Sequence, residues 1–359
     1  MPQEDSNPAT TAPAAHEPAA DIVVDPAFTS DTRYDDDNSS SYSSGVESST
    51  ASLSSSILNF REMHGRTYQN FKPDDEYWQP NDDRHNDSLD INHHMFLLLN
   101  DNKLFHAPLE NPQSVLDVGT GTGIWAVDFA DQFPSARVVG IDLSPIQPEW
   151  APPNCKFELD DAELEWTFKE NEFDFIHIRY MIGSIKNWPR LYQQAFRALK
   201  PGGWIEHSEF RAETGCDDGS VPEDSIYDWW TKKLLIPSGE KLGKTFTPTK
   251  DNLHVKNLRE AGFTGALHTK DYKVPLGPWP VDAKLKEIGL FNQATMEQGL
   301  EGFGLLLGTQ IMGFSIEEMQ VAFAKMRQAF RNPRWHVYYP ANSAWAQKPF
   351  ASKEAKEAK

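Results

Sequence analysis

Cysteine is scarce in this chain of 359 residues, which contains only Cys155 and Cys216. Two cysteines cannot form the disulfide network on which small secreted domains rely, and neither stands beside histidines at a spacing that ligates a metal. The sequence therefore predicts a protein of a reducing intracellular compartment that holds no metal ion.

Basic residues are also few, since 34 Lys and Arg stand against 53 Asp and Glu and the formal net charge is −19. A surface with this charge repels the phosphate groups of nucleic acids and of anionic lipids. We therefore expect no direct binding to nucleic acid and no binding to a membrane.

Long apolar runs are absent as well. One of the longest spans residues 95–99, whereas a membrane-spanning helix needs about 20 apolar residues. The first residues show neither the basic nor the apolar part of a secretory signal. We expect a cytoplasmic protein, and because no Lys/Arg cluster marks it for nuclear import, a nuclear location would require a partner or diffusion.

Residues 1–55 are rich in Pro, Ala, Asp and Ser, and residues 1–60 contain ten acids and one base, Arg33. Such a segment buries too little apolar surface to offset the conformational entropy that it would lose on folding. We predict a disordered leader over residues 1–55 and a polar tail over residues 346–359.

Apolar residues recur near helical spacing in two stretches after this leader, at residues 57–68 and 89–98. This spacing is typical of amphipathic helices that bury one face. The pattern predicts a helical N-terminal extension over residues 56–110.

Strands and helices alternate after Pro112. Short apolar runs joined by amphipathic stretches predict a mostly parallel sheet covered by helices on both faces, which is an α/β fold. The predicted strands are 114–118, 137–141, 156–159, 173–178, 204–210, 265–274 and 335–339. The predicted helices are 124–132, 191–199, 251–261, 281–307 and 315–330.

A glycine-rich loop follows the first predicted strand, with Gly119, Gly121 and Gly123 leading into a helix. Glycines let the backbone approach a ligand, and a helix N-terminus offers unpaired N–H groups to its polar atoms. We therefore expect a nucleotide-like ligand at this end of the sheet. The spacing of Gly121, Gly123 and Ala126, with Asp142 about 20 residues further on, also fits a dinucleotide site.

Three neighbouring features favour a nucleotide-like ligand other than a dinucleotide. Asp142 ends the second strand, where its carboxylate can accept hydrogen bonds from both hydroxyls of a ribose. Residues 157–162 end the third strand with acids placed to accept from an adenine amino group. Residues 199–204 form the turn into the fifth strand. A dehydrogenase does not require this combination.

Together these residues resemble the class I S-adenosylmethionine-dependent methyltransferases, and more specifically the fungal LaeA-like family of secondary-metabolism regulators. The resemblance extends over about residues 57–345. The strings that carry it are residues 65–68, 89–94, 121–126, 142–148 and 202–206. Thr120 stands where the regulator has cysteine, and Ser88 stands where we expect arginine.

The resemblance implies a Rossmann-like α/β fold with a seven-stranded sheet whose last strand is antiparallel. It implies a methyltransferase domain over residues 111–345 with helical insertions that cap the substrate, and S-adenosylmethionine as the cofactor. The implied cofactor-binding residues are Asp117, Gly119, Thr120 and Gly121 for the methionine part, Asp142 for the ribose, and Asp161 with Ala162 for the adenine.

Methyl transfer from a sulfonium is an in-line displacement with an activated reagent, so the protein mainly positions the reactants and excludes water. No catalytic residue is therefore assigned. Arg179 and Tyr180 follow the fourth predicted strand, and His207 and Glu209 lie in the fifth. His207 has the side chain best suited to a general base, but a histidine in an apolar strand is more often a core residue.

Three functions remain open at this stage. The first is a methyltransferase that acts on a small-molecule natural product of fungal secondary metabolism. The second is a regulator of secondary-metabolite gene clusters that acts through a protein partner or protein methylation, which the acidic, serine-rich leader favours. The third is a nicotinamide-dependent enzyme, which rests on the overlapping glycine spacing alone.

Overall fold

The structure, a computed structural model, describes residues 14–29, 60–70 and 77–350. Within these residues, the strands form one eight-stranded sheet and a separate two-stranded hairpin. The strands are β1 (Ala15–Glu17), β2 (Arg61–Met63), β3 (Arg66–Tyr68), β4 (Ser114–Val118), β5 (Arg137–Asp142), β6 (Cys155–Leu159), β7 (Phe173–Arg179), β8 (Leu199–Phe210), β9 (Leu267–Pro275) and β10 (Tyr338–Gln347).

The large sheet has the strand order β1-β9-β10-β8-β7-β4-β5-β6. Strand β10 runs antiparallel to both of its neighbours, β8 and β9, and the remaining pairs are parallel. The prediction of a mostly parallel, Rossmann-like α/β sheet with an antiparallel last strand is confirmed. Seven strands match the expected sheet, and β1 adds an eighth at its edge.

Helices connect the strands and cover the sheet. Several begin at a side-chain cap, as where Asp82 accepts a hydrogen bond from the backbone N–H of His85 at 3.1 Å. The α-helices are α1 (Asp83–Leu99), α2 (Ile124–Gln132), α3 (Trp188–Ala198), α4 (Ile226–Trp229), α5 (Ile236–Leu242), α6 (Leu253–Glu260), α7 (Ala283–Leu306) and α8 (Ile316–Phe330). No helix in the described part of the chain is long and apolar enough to span a bilayer.

The sheet buries side chains on both faces because successive residues of a strand point to opposite sides. In β7, Phe175 joins the cluster that contains Trp125 of α2, whereas its neighbour Ile176 joins the cluster that contains Leu191 of α3. A third cluster gathers residues of α1, α7 and α8. The helices predicted as a cap therefore have a core of their own.

The helical extension predicted over residues 56–110 is only partly right. Helix α1 is present, but strands β2 and β3 form an antiparallel hairpin in place of the first helix. His64 and Gly65 form its turn with φ of +54° and +73°. A two-residue turn with positive φ joins strands and stops a helix, so it overrides the apolar spacing. Ile57 lies outside the described residues.

The prediction of a disordered leader over residues 1–55 is wrong for residues 14–29. Strand β1 pairs in parallel with β9, and Val24 forms a bridge with Pro280. The Lys286 ammonium also donates to the Asp25 carboxylate at 2.6 Å. The backbone groups of an edge strand and this ion pair order the segment. The other residues of the predicted leader lie outside the described ranges.

The last strand was predicted at residues 335–339, whereas β10 spans Tyr338–Gln347. The strand contains Pro340 and a run of small residues, which are poor strand formers. It forms nevertheless because β8 and β9 pair with it on both sides. The predicted tail over residues 346–359 therefore begins inside the sheet, and residues 351–359 lie outside the described part.

Candidate functional site

The glycine loop between β4 and α2 folds back onto β5. Gly119, Gly121 and Gly123 have φ of +69°, +58° and +82°, values that favour glycine. The N–H groups of Gly119 and Thr120 donate to the carbonyl oxygen of Ile141 at 2.9 and 3.0 Å. The loop is therefore held by backbone hydrogen bonds and leaves its outer side open.

The Asp142 carboxylate joins the glycine loop to the end of β5. Its Oδ2 accepts from the Gly121 N–H at 2.8 Å, and its Oδ1 accepts from the Ser144 N–H at 2.9 Å. Burial raises the pKa of Asp142 to about 6, and the two backbone hydrogen bonds oppose this rise. Each oxygen retains a lone pair for a further donor.

Asp117 is buried and supports the loop from below. Its Oδ2 accepts from the Thr120 hydroxyl at 2.6 Å, and its Oδ1 accepts from His177 Nδ1 at 2.7 Å. The His177 ring is stacked on Trp125 with a centroid distance of 3.8 Å, and burial lowers its pKa to about 4. The neutral imidazole therefore donates from Nδ1, and Asp117 stabilises the loop through its hydrogen bond with Thr120.

The turn after β6 is held by its own acids. Asp160 accepts from the Asp161 N–H at 2.8 Å, and Asp161 accepts from the Glu163 N–H at 2.8 Å. The carbonyl oxygen of Ala162 accepts from the Trp166 indole N–H at 3.0 Å. Trp166 is therefore a support of this turn, and Asp161 and Ala162 are held at the end of β6.

One cavity brings these elements together, and we call it the glycine-loop cavity. All seven residues predicted to bind the cofactor line it, namely Asp117, Gly119, Thr120, Gly121, Asp142, Asp161 and Ala162. They come from the carboxyl ends of three adjacent strands, β4, β5 and β6, which is where ligands bind in sheets of this kind.

Helix α1 forms a wall of this cavity that the sequence interpretation did not assign. His85, Leu89 and Asn92 line it, and the Thr122 hydroxyl donates to the Asp90 carboxylate at 2.6 Å. Burial lowers the pKa of His85 to about 3, and neither ring nitrogen has a hydrogen-bond partner in the described part of the chain. Residues 89–94 of this helix are among those that carry the family resemblance, but no spacing pattern in the sequence places them beside the glycine loop.

Arg179 and Tyr180 also line the glycine-loop cavity, at the end of β7. The Arg179 guanidinium donates to His93 Nδ1 at 2.9 Å and lies 4.9 Å from the centre of the Phe96 ring. Burial lowers the pKa of Arg179 to about 10, so the guanidinium keeps its charge at neutral pH. It places a cation among the acids that line the cavity.

His207 and Glu209 lie in the core, away from this cavity. His207 Nδ1 is 2.8 Å from the Tyr192 hydroxyl, and burial lowers its pKa to about 3. Glu209 accepts from the Met181 N–H at 2.7 Å, and burial raises its pKa to about 8. The core interpretation of His207 agrees with this position, and neither residue is within the lining of the cavity.

The buried ionisable groups imply a pH dependence of stability. Burial raises the pKa of Glu206 to about 7, as it raises that of Glu209. It lowers to about 3 or 4 the pKa values of five histidines, which are His85, His106, His177, His207 and His254.

We expect the free energy of unfolding to be greatest near pH 7. Below this pH the unfolded chain binds more protons at the histidines, so stability rises with pH through their ordinary pKa of 6.5. Above it the unfolded histidines are mostly neutral, whereas the native chain still holds protons on Glu206 and Glu209, so stability falls by about 1 kcal/mol up to pH 9. Thermal unfolding at pH 5, 7 and 9 measures this, and a melting temperature that still rises from pH 7 to 9 would contradict it.

Comparison with known proteins assigns the family. A family model described as a methyltransferase domain matches residues 91–305. The methyltransferase pytC of Aspergillus terreus is 40% identical over 307 residues, which cover 85% of this chain and 93% of that protein. The chain belongs to the S-adenosylmethionine-dependent methyltransferases.

Further relatives of this methyltransferase have regulatory names. The secondary metabolism regulator laeA of Aspergillus fumigatus is 34% identical over 295 residues, or 81% of this chain and 77% of that protein. The protein-methionine methyltransferase laeA of Emericella nidulans is 32% identical over 292 residues, with the same shares covered. The predicted LaeA-like resemblance is confirmed.

S-adenosylmethionine is the cofactor of this methyltransferase, and the glycine-loop cavity has polar groups that suit it. Among the described residues, a Cβ added to Gly121 would meet only Leu89, at 3.6 Å, so a ligand can lie directly on this peptide. The lining offers carboxylates for hydroxyl donors and a guanidinium for a carboxylate. The residues present therefore fit the group.

Proposed function

We propose that this methyltransferase binds S-adenosylmethionine in the glycine-loop cavity and methylates a small molecule of fungal secondary metabolism. The observation that carries the proposal is the convergence of all seven predicted residues on one cavity at the ends of β4, β5 and β6. Similarity over 93% of the methyltransferase pytC supports an enzymatic role.

Each part of the cofactor would contact different residues of the chain. Asp142 would accept hydrogen bonds from the ribose, and the turn with Asp161 and Ala162 would meet the adenine. The glycine loop would hold the methionine part, and Arg179 is the cation placed to bind its carboxylate. When bound, the cofactor supplies an activated methyl group on a sulfonium, so the chain has to orient the acceptor and exclude water.

A second candidate function is regulation of secondary-metabolite gene clusters through protein methylation. The names of the relatives at 32–34% identity favour it, since one is a regulator and another a protein-methionine methyltransferase. Both functions use the same cofactor site, and they differ in whether the acceptor is a small molecule or a protein.

Incubating the full chain with S-adenosylmethionine labelled in its methyl group and an extract of a fungal culture distinguishes the two. We expect label in the small-molecule fraction and binding of S-adenosylmethionine, but not of NAD, by calorimetry. Label confined to protein would support the regulatory function instead. Binding of NAD without binding of S-adenosylmethionine would refute both.

A further inference from the structure

A second cavity lies beside the first. Its walls come from the segment before α1, the ends of β7 and β8, and helix α7. We call it the aromatic cavity and define it by Trp78, Tyr180, Phe210, Phe246, Thr295 and Phe303. Of these six residues, only Tyr180, which follows the fourth predicted strand, was named from the sequence.

The aromatic cavity adjoins the end of the glycine-loop cavity where the reaction would occur. Tyr180 and Asn92 line both cavities. Across the sheet edge, the proposed adenine, ribose and methionine contacts follow the order β6, β5, β4, and the next strand is β7, which ends at Tyr180. The methionine end of the cofactor is therefore the end nearest to the aromatic cavity.

Tyr180 adopts an unusual backbone conformation at this junction. Its φ is +57°, a value that costs free energy for a residue with a side chain. The conformation is held by a hydrogen bond from the Tyr180 N–H to the Ser208 carbonyl oxygen at 3.1 Å. It places the tyrosine as a wall between the two cavities.

Two buried polar atoms of residues that line the aromatic cavity have no hydrogen-bond partner among the described residues. They are the indole Nε1 of Trp78 and the hydroxyl of Thr295, whose residues are 3% and 1% exposed. A buried donor without a partner is costly and becomes favourable when a ligand accepts its hydrogen bond. Because an indole N–H only donates, it selects a ligand with an oxygen or another acceptor.

The charge of the lining limits the ligand further. Seven of the residues in the lining are aromatic, and aromatic faces by themselves suit either a flat ring or a cation. Arg211 is the one charged side chain among the described residues of the lining. Its positive charge, without a carboxylate among the described residues of the same lining, disfavours a cationic ligand.

We propose that the aromatic cavity is the acceptor site and that the acceptor is a flat, oxygen-bearing ring compound without positive charge, such as a phenol or an enol. This inference rests on the proposed function, since it names the acceptor class of the same enzyme. In the reaction the acceptor oxygen bonds to the methyl carbon as the carbon–sulfur bond breaks. The electron pair of that bond stays on sulfur, and the hydroxyl proton passes to water.

Calorimetry on the full chain saturated with S-adenosylhomocysteine tests the site, with 1-naphthol as the probe. Thr295→Val removes the hydroxyl and keeps the shape of the side chain, and Trp78→Phe removes the indole N–H together with part of the ring system. We expect each to weaken naphthol binding about three- to tenfold and to leave the affinity for S-adenosylhomocysteine unchanged. The cationic analogue 1-naphthylmethylamine should bind the unaltered chain at least tenfold more weakly than naphthol.

Thr309→Val is the matched control. Its hydroxyl donates to the Leu305 carbonyl oxygen at 2.8 Å, outside both cavities, so naphthol should bind this variant as it binds the unaltered chain. Unchanged naphthol affinity in both test variants, equal binding of the amine, or no naphthol binding at all would overturn the inference. Failure of S-adenosylhomocysteine to bind would instead refute the proposed function, so the two failures are distinguishable.

Discussion

Replacing Asp142 with alanine should lower the affinity for S-adenosylmethionine at least about hundredfold. The change removes the carboxylate that would accept from the ribose, and hydrogen bonds to a charged group each contribute about 1.5–3 kcal/mol. It also removes the acceptor for the Gly121 and Ser144 N–H groups, so the glycine loop loses its link to β5. Calorimetry with S-adenosylmethionine measures the effect.

Asp174→Ala provides the control for this prediction. The Asp174 carboxylate accepts from the N–H groups of Gln113 and Ser114, both at 2.9 Å, at the opposite end of the same sheet. Its loss should lower thermal stability without changing the affinity for the cofactor. If Asp142→Ala binds S-adenosylmethionine as tightly as the unaltered chain does, the ribose lies elsewhere and the site is misassigned.

Replacing Gly121 with alanine should also reduce cofactor affinity about hundredfold or more, for a steric reason. The added Cβ meets no protein atom closer than Leu89 at 3.6 Å, so the chain still folds. The methyl group stands instead on the peptide where the methionine part is proposed to lie. The positive φ of +58° adds a stability cost of about 1–2 kcal/mol.

Gly243→Ala separates the two effects. Gly243 has a similar φ of +67°, and a Cβ there would meet nothing within 4 Å. This variant should lose a similar amount of thermal stability and keep its affinity for S-adenosylmethionine. Equal affinities of the Gly121 and Gly243 variants would show that the cofactor does not lie against the glycine loop.

Much of the sheet could be predicted from local pattern. Strand β4 and helix α2 have the predicted bounds, because the glycines mark where the strand ends and the helix begins. Parallel strands buried on both faces give continuous apolar runs, so β5, β6 and β7 could be located within one residue at either end.

The errors occurred where pairing partners determine the structure. Residues 14–29 are ordered by the edge of β9 and by Lys286, which are more than 240 residues away. Strand β10 reads as a weak strand and forms because it lies between two others. Local composition contains no information about such partners.

The candidate site also contains a part that could be predicted from local pattern and a part that could not. The seven predicted residues belong to motifs at strand ends, so their convergence follows from the sheet. The aromatic cavity joins Trp78, Tyr180 and Thr295, which are separated by about 100 residues at each step and share no spacing. Only the packing of α7 against α1 and the sheet brings them together.

The short strand β1 has a consequence for the outer edge of the sheet. It occupies the backbone groups of β9 at residues 268–270, which another molecule would otherwise use to add a strand. An exposed edge strand can pair with the edge of another chain and start aggregation. Strand β1 covers residues 268–270 of this edge, so a chain shortened by residues 14–29 would expose their backbone groups and should aggregate more readily.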